Sequence, residues 1–185
     1  MPNEDPKKKY LGVEDFFAKQ EGILHKLSVQ KRNRLIGEVT SLLLSSNLHR
    51  KYQINDIFSG FVVPIHLNQF RIYKNKENQP IALITWAYFS KEVEKEYQTG
   101  KYFLKLEDWK SGNRLWAIDL IAPFGHVKEV SKDLKNNLFS NEKVRFLRLS
   151  KEGKIKGTHS YCGPEYFRNK KEKISNKNKI KRKNE

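Results

Sequence analysis

The sequence has little of several things, and each shortage closes off a class of protein. It holds one cysteine, Cys162, so no intrachain disulfide can form, and a reducing compartment suits it. No segment approaches the roughly 20 apolar residues that a membrane-spanning helix needs. Residues 1–9 are polar, with no apolar stretch following a basic run, so no secretory signal is expected and a cytoplasmic home is. There is no glycine-rich loop of the GxGxxG or P-loop kind, which speaks against the common nucleotide and coenzyme A sites. None of the pairs drawn from the five histidines has zinc-ligand spacing, so no metal site is expected. The RNP pattern of an RRM and the GXXG loop of a KH domain are missing as well.

Acids are also short: 21 Asp and Glu stand against 37 Lys and Arg, a formal net charge of +16. The excess is uneven. Residues 168–185 carry nine Lys and Arg against two acids, a net of +7, and almost nothing apolar. This stretch is expected to be a disordered basic tail. The other 167 residues carry 28 Lys and Arg against 19 acids, a net of +9. Such a field attracts an acidic partner: nucleic acid, an anionic membrane or an acidic protein.

What is present is one domain's worth of core, with 185 residues, 37% of them hydrophobic and 12% aromatic. Apolar residues at helical spacing predict a helix over residues 14–27 and another over 33–45, the second through Leu35, Ile36, Val39, Leu42 and Leu43. A third apolar segment spans 54–63 and is expected to stop at Pro64. Residues 69–73 and 81–89 read as a hairpin about a turn at 75–80. Ser90 caps a charged helix over 91–98, stopped by Gly100. Residues 107–112 read as a polar turn, 114–122 as a buried strand, 127–139 as a helix, and 144–149 with 155–161 as a last strand pair about Gly153. The order predicts a single α/β (α+β) domain over residues 1–167, with one mixed central sheet flanked by helices.

Three places in this pattern could carry chemistry. Asp119 lies inside an otherwise apolar strand, where an ionised carboxylate is costly unless paired or hydrogen-bonded. It is either a structural acid or one that orients a histidine. His49 follows a helix end, beside Arg50. Pro123-Phe124-Gly125 ends a strand and opens a helix, so free N–H groups there could hold a carbonyl oxygen as it gains charge, or simply make a turn. Cys162 has no motif around it and reads as a partly buried thiol.

Four stretches taken together carry a resemblance. They are Ser45-Ser46-Asn47-Leu48-His49-Arg50, the run 80–90 around Thr85-Trp86-Ala87, residues 107–114 (Glu-Asp-Trp-Lys-Ser-Gly-Asn-Arg), and Ile118-Asp119-Leu120-Ile121-Ala122-Pro123-Phe124-Gly125. In order and spacing, over residues 42–149, the chain resembles the toxin-activating lysine acyltransferases of the hemolysin C type, which mature repeat-in-toxin (RTX) proteins. The resemblance implies a fold akin to the N-acetyltransferase (GNAT) superfamily. It implies acyl-acyl carrier protein as donor, an internal lysine of an RTX protoxin as acceptor, no bound cofactor, and a homodimer. It places the essential pair at His49 and Asp119, with Ser46 assisting. The chain departs from the pattern in a longer stretch before Leu42, which makes residues 1–30 a candidate N-terminal extension. Asn47 stands where a proline is common, and residues from 155 onward match poorly.

On this reading a histidine takes the proton that a lysine must lose to attack a thioester, since a free lysine is protonated at neutral pH. His49 could instead take the acyl group itself. Gly125 or the strand edge would hold the oxyanion. Arg50, Lys51 and Arg114 would grip the carrier protein or its phosphopantetheine arm. Trp86, Trp116 and Phe124 are candidates to line an acyl channel, if they are not ordinary core. Two alternatives stand beside it: a basic nucleic-acid-binding module, which leaves Asp119 without a task, and a non-catalytic protoxin chaperone.

Overall fold

A computed structural model describes residues 28–150 and 154–168. The helix expected over 14–27, Gly153 in the last hairpin turn, and the basic tail beyond Arg168 lie outside the described residues.

Helix α1, Val29–Ser45, begins four residues before the expected start because Ser28 caps it, its side chain accepting the Lys31 N–H at 3.3 Å. Its buried stripe is Val39, Leu42 and Leu43. After a short 3-10 turn, His49–Lys51, comes a helical run in three pieces, Ile54–Ile57, Phe58–Val62 and Val63–His66, together α2. Pro64 was expected to stop this run, and it does not. It sits in the first turn of the third piece, where the N–H it lacks is least missed, directly after a π turn that widens the ladder. The chain reverses at Asn68, whose φ of 55° an asparagine tolerates.

Five strands follow among the described residues, with two α-helices between them. They are β1 (Phe70–Lys74), β2 (Pro80–Phe89), β3 (Arg114–Ile121), β4 (Lys143–Leu149) and β5 (Ile155–Cys162). Helix α3 is Lys91–Gln98, capped by Ser90 as the sequence predicts, and α4 is Val127–Asp133 continued by a π turn, Leu134–Leu138. The strands lie in the order β1-β2-β3-β4-β5, all neighbours antiparallel except β3 and β4. This is a mixed α/β domain built on one central sheet.

The sheet has a helix-covered core on each face. On one, Ala82, Ile84, Trp86 and Leu115 pack against Val130, Leu134 and Phe139 around α4. On the other, Leu83 and Ile121 meet Val39, Leu42, Phe61 and Ile65 of α1 and α2, while Ala87, Phe89 and Trp116 meet Val63 and Trp109. The stretch expected to be a polar turn is a 3-10 helix, Leu106–Lys110, that buries Trp109 and Asp108. Gln69 ties it to the sheet, its side-chain amide donating to the carbonyls of Trp86 (3.1 Å) and Trp109 (2.9 Å). Gly112 must be glycine: its N–H reaches the Tyr88 carbonyl at 2.9 Å, and a Cβ there would collide with the Phe89 carbonyl oxygen.

Helix α3 clamps β3 to β4. Its Glu94 accepts from Arg114 (2.9 Å), from Arg145 (3.0 Å) and from the Trp116 indole (3.0 Å). The clamp coincides with the β3–β4 ladder, which pairs only Trp116 with Arg145 and Ala117 with Phe146. Beyond it the two strands part.

His66 is buried at the end of α2, its Nδ1–H donating to the Val62 carbonyl at 2.9 Å. Burial lowers its pKa below the ordinary histidine value, against the raising effect of the Val62 bond and with a smaller lowering from Arg32. The unfolded chain therefore binds this proton more readily than the folded one. The stability that depends on neutral His66 is full above the unfolded value and is lost as pH falls through the folded one. Melting temperatures at pH 7.5 and 5.5 test this: the acid-side drop should be larger for the wild type than for His66→Leu.

Candidate active site

The site is assembled where α1 ends. Ser46 leaves the helix in extended conformation, its N–H on the Leu43 carbonyl (3.1 Å) and its own carbonyl taking the Arg50 N–H (3.0 Å). These bonds turn the chain so that His49 points inward, only 7% exposed. Ser46 Oγ lies 2.7 Å from His49 Nδ1. On the other side of the ring, His49 Nε2 lies 3.5 Å from Asp119 Oδ1, whose side chain is 22% exposed. Serine, histidine and aspartate thus form a line in which both ring nitrogens are engaged.

Asp119 reaches that line because β3 is not a regular strand. Opposite the single β2 residue Thr85, β3 spends two residues, Ile118 and Asp119. Leu115 and Ala117 face α4, and Trp116 and Ile118 face the other way. Strict alternation would then send Asp119 towards α4. The bulge keeps it on the side of Ile118, and Leu120 and Ile121 resume the alternation. The Asp119 N–H, freed from the ladder, donates to the Thr85 hydroxyl at 3.3 Å. Gly60 of α2 lies beside the carboxylate: a Cβ there would sit 3.9 Å from Oδ2, in ordinary contact.

Two tyrosines complete the surroundings, and nothing in the sequence singled them out. The Tyr52 ring meets the His49 ring edge-on, with centroids 5.1 Å apart. Burial, then Asp119, then Asp56 push its hydroxyl up to about 12. Tyr97 of α3 is also pushed up by burial, then by Asp119, then by Tyr52. Tyr52 could have been found three residues after His49, and Thr85 as a small hydroxyl inside a buried run. Tyr97 sits on a charged helix that gives no hint of it.

The remaining expected residues are placed less centrally. Arg50 is exposed, next to His49. Arg114 is bound to Glu94 and serves the clamp. Gly125, at φ 92°, lies in the turn after β3, where its N–H is engaged by the Ala122 carbonyl at 3.3 Å. Trp86 and Trp116 are core residues rather than channel walls, and Phe124 is exposed. Cys162 is half-buried on β5. Among the described residues no group of three His, Cys, Asp or Glu is placed to hold a metal ion, and no helix is long and apolar enough to cross a membrane.

A half-buried acid, an oriented imidazole and a hydroxyl define the kind of centre that moves a proton during group transfer. Comparison with known sequences gives the family. The sequence profile of the RTX toxin acyltransferase family matches residues 28–160, so the match begins with α1 and extends into β5, wider than the resemblance over 42–149. The chain belongs to this family. It is 40% identical to an uncharacterised Synechocystis protein over 132 residues, 70% of this chain and 90% of that one. It is 32% identical to a lysine acyltransferase of Vibrio cholerae, covering 74% of this chain and 88% of that one. With a protein-lysine myristoyltransferase of Escherichia coli it shares 34% identity, over 72% and 79% of the two chains.

The Thr85 hydroxyl is the side-chain contact that stabilises the bulge. Thr85→Val keeps the volume and removes the acceptor, leaving the Asp119 N–H without its partner. Urea denaturation should show a loss of about 1–3 kcal/mol, the cost of an unmade buried hydrogen bond.

Proposed function

We propose that the chain is a protein-lysine fatty acyltransferase that moves an acyl chain from acyl-acyl carrier protein onto internal lysines of an RTX protoxin and so activates the toxin. The observation that carries this is the Ser46–His49–Asp119 line, in a chain of the RTX toxin acyltransferase family. The names of the relatives support lysine as acceptor and a fatty acyl group as cargo.

In this reading Asp119 accepts from His49 Nε2–H and fixes the tautomer, which leaves the lone pair on Nδ1, facing Ser46. The lysine, its ammonium proton lost to solvent, attacks the thioester carbon as the neutral amine and the new C–N bond forms. The amine's proton passes to the Ser46 oxygen as the Ser46 proton passes to Nδ1. The C–S bond breaks, the electron pair leaves on sulfur, and the thiolate takes the proton from the imidazolium. Asp119 stabilises the charged ring while it exists. The hydroxyl on Nδ1 favours this route over acylation of His49, because an acyl group on either nitrogen would displace a partner already in place.

The parting of β3 and β4 supports a GNAT-like fold and a carrier-bound donor. Past Ala117, residues 118–121 have no β4 partner in the ladder, and an extended pantetheine arm with two amides can pair with such an edge. An acidic carrier protein suits a body of net +9, and Arg50 is free to meet it at the rim of the site. We further propose a cytoplasmic protein of one domain that works as a homodimer, with no cofactor of its own.

Intact-mass spectrometry of a cognate protoxin coexpressed with the chain is the test. Wild type should add a fatty acyl increment to lysine, His49→Ala should add none, and Asp119→Asn should fall by about 10²-fold or more, in line with loss of a general base's orienting acid. A folded wild type that adds no acyl mass to the protoxin would sink the proposal.

A further inference from the structure

We propose that the Tyr97 hydroxyl is the hydrogen-bond donor that holds the thioester carbonyl oxygen as it gains negative charge. This deepens the acyl-transfer reading above and rests on it.

The ring of Tyr97 is fixed. It meets Phe89 edge-on at 5.1 Å between centroids and Trp116 at 5.4 Å, both on the site's face of the sheet. Phenylalanine would serve that packing equally well. The hydroxyl makes no hydrogen bond among the described residues, so it does nothing for the fold that they show. Its ring packs in the same cluster as Ile118, the neighbour of Asp119 on the site's face of β3, and as Leu147 of β4, and the charge of Asp119 helps to raise its pKa. Tyr97 also lines a groove of about 520 Å³ with Tyr102, Leu147, Leu149 and Ile155, and Lys101 and Lys154 on its wall. Leucine and isoleucine suit an acyl or pantetheine chain, and the lysines suit a phosphate. Tyr97 is thus the side chain common to the groove and to the surroundings of Asp119.

A free donor is what the reaction needs there. When the amine adds to the carbonyl carbon, the C=O π pair moves onto oxygen, and a fixed donor lowers that barrier most when it has nothing to reorganise. Gly125 has its N–H engaged elsewhere. Burial and the Asp119 charge oppose formation of a phenolate, so Tyr97 keeps its proton and donates a hydrogen bond rather than transferring the proton. When the tetrahedral species collapses, the pair returns to carbon, the C–S bond breaks, and the thiolate is protonated from His49. Tyr97 ends as it began.

Steady-state transfer from a fatty acyl-acyl carrier protein to the protoxin separates this role from a structural one, with wild type, Y97F and His49→Ala compared. Y97F should lower kcat about 10²-fold, the size of effect expected for one oxyanion donor, with the donor KM within about threefold. Its melting temperature should match the wild type's. A kcat within about threefold of wild type, a loss confined to KM, or a Y97F protein that melts far below wild type would each overturn the assignment while leaving the acyltransferase reading in place. Wild-type protein that is folded yet transfers nothing would remove the reading itself, and this role with it.

Discussion

One extra residue in β3 decides what the site can be. A regular strand from Leu115 would carry Asp119 to the α4 face, into the hydrophobic cluster of Ile84, Trp86 and Val130 and away from His49. The bulge opposite Thr85 moves it to the other face, 3.5 Å from His49. A carboxylate in an apolar strand is tolerated only where something meets its charge. Here a histidine, a threonine-bound backbone and partial solvent exposure meet it together. The position of one carboxylate therefore depends on a count of residues between two ladder pairs, Ile84 with Leu120 and Trp86 with Ala117.

The bulge is held from both ends by elements that are themselves anchored. On the N-terminal side of β3, Glu94 gathers Arg114, Arg145 and Trp116, and so fixes α3 against two strands. With side chains 35% and 19% exposed, the two arginines are screened and their ion pairs add modest stability. Their value is geometric. They hold β3 to β4 at the base and leave the strands to diverge above it, on the side where Asp119 lies. At the far end, Ile121 packs into the cluster of α1 and α2, the elements that bring His49. The same packing that closes the core sets the distance across the site.

Local chemistry was readable in the sequence, and long-range register was not. The Ser90 cap, the stop at Gly100, both central strands and the final pair stand where periodicity and turn residues put them. Two local readings failed because a neighbour changed the rule. Pro64 does not end its helix, since a π turn precedes it, and residues 107–112 are not a polar turn, since Gln69 draws Trp109 inward. The oddity of Asp119 was visible as a charge in an apolar run. Its approach to His49 was not, because alternation alone gives the wrong face. Nor was Tyr97, whose helix, Lys91–Gln98, carries five charged residues and reads as a solvated surface although Val93 and Tyr97 are partly buried.

The basic residues divide by the work their partners give them. Arg114 looked like a donor-binding residue in the sequence, yet Glu94 accepts its guanidinium at 2.9 Å, and Lys74 is likewise held by Glu38 at 2.6 Å. A cation already neutralised by a close carboxylate adds little to the field that an approaching partner feels beyond a Debye length of about 10 Å. The attraction must come from those left exposed, such as Arg50 and Lys51 beside His49 and Lys101 and Lys154 on the groove. An acidic carrier drawn to both would span the histidine and Tyr97. On the proposed reading, the charge excess, which by itself could not choose among acidic partners, would act together with the site's geometry on a partner that carries its cargo on a long arm.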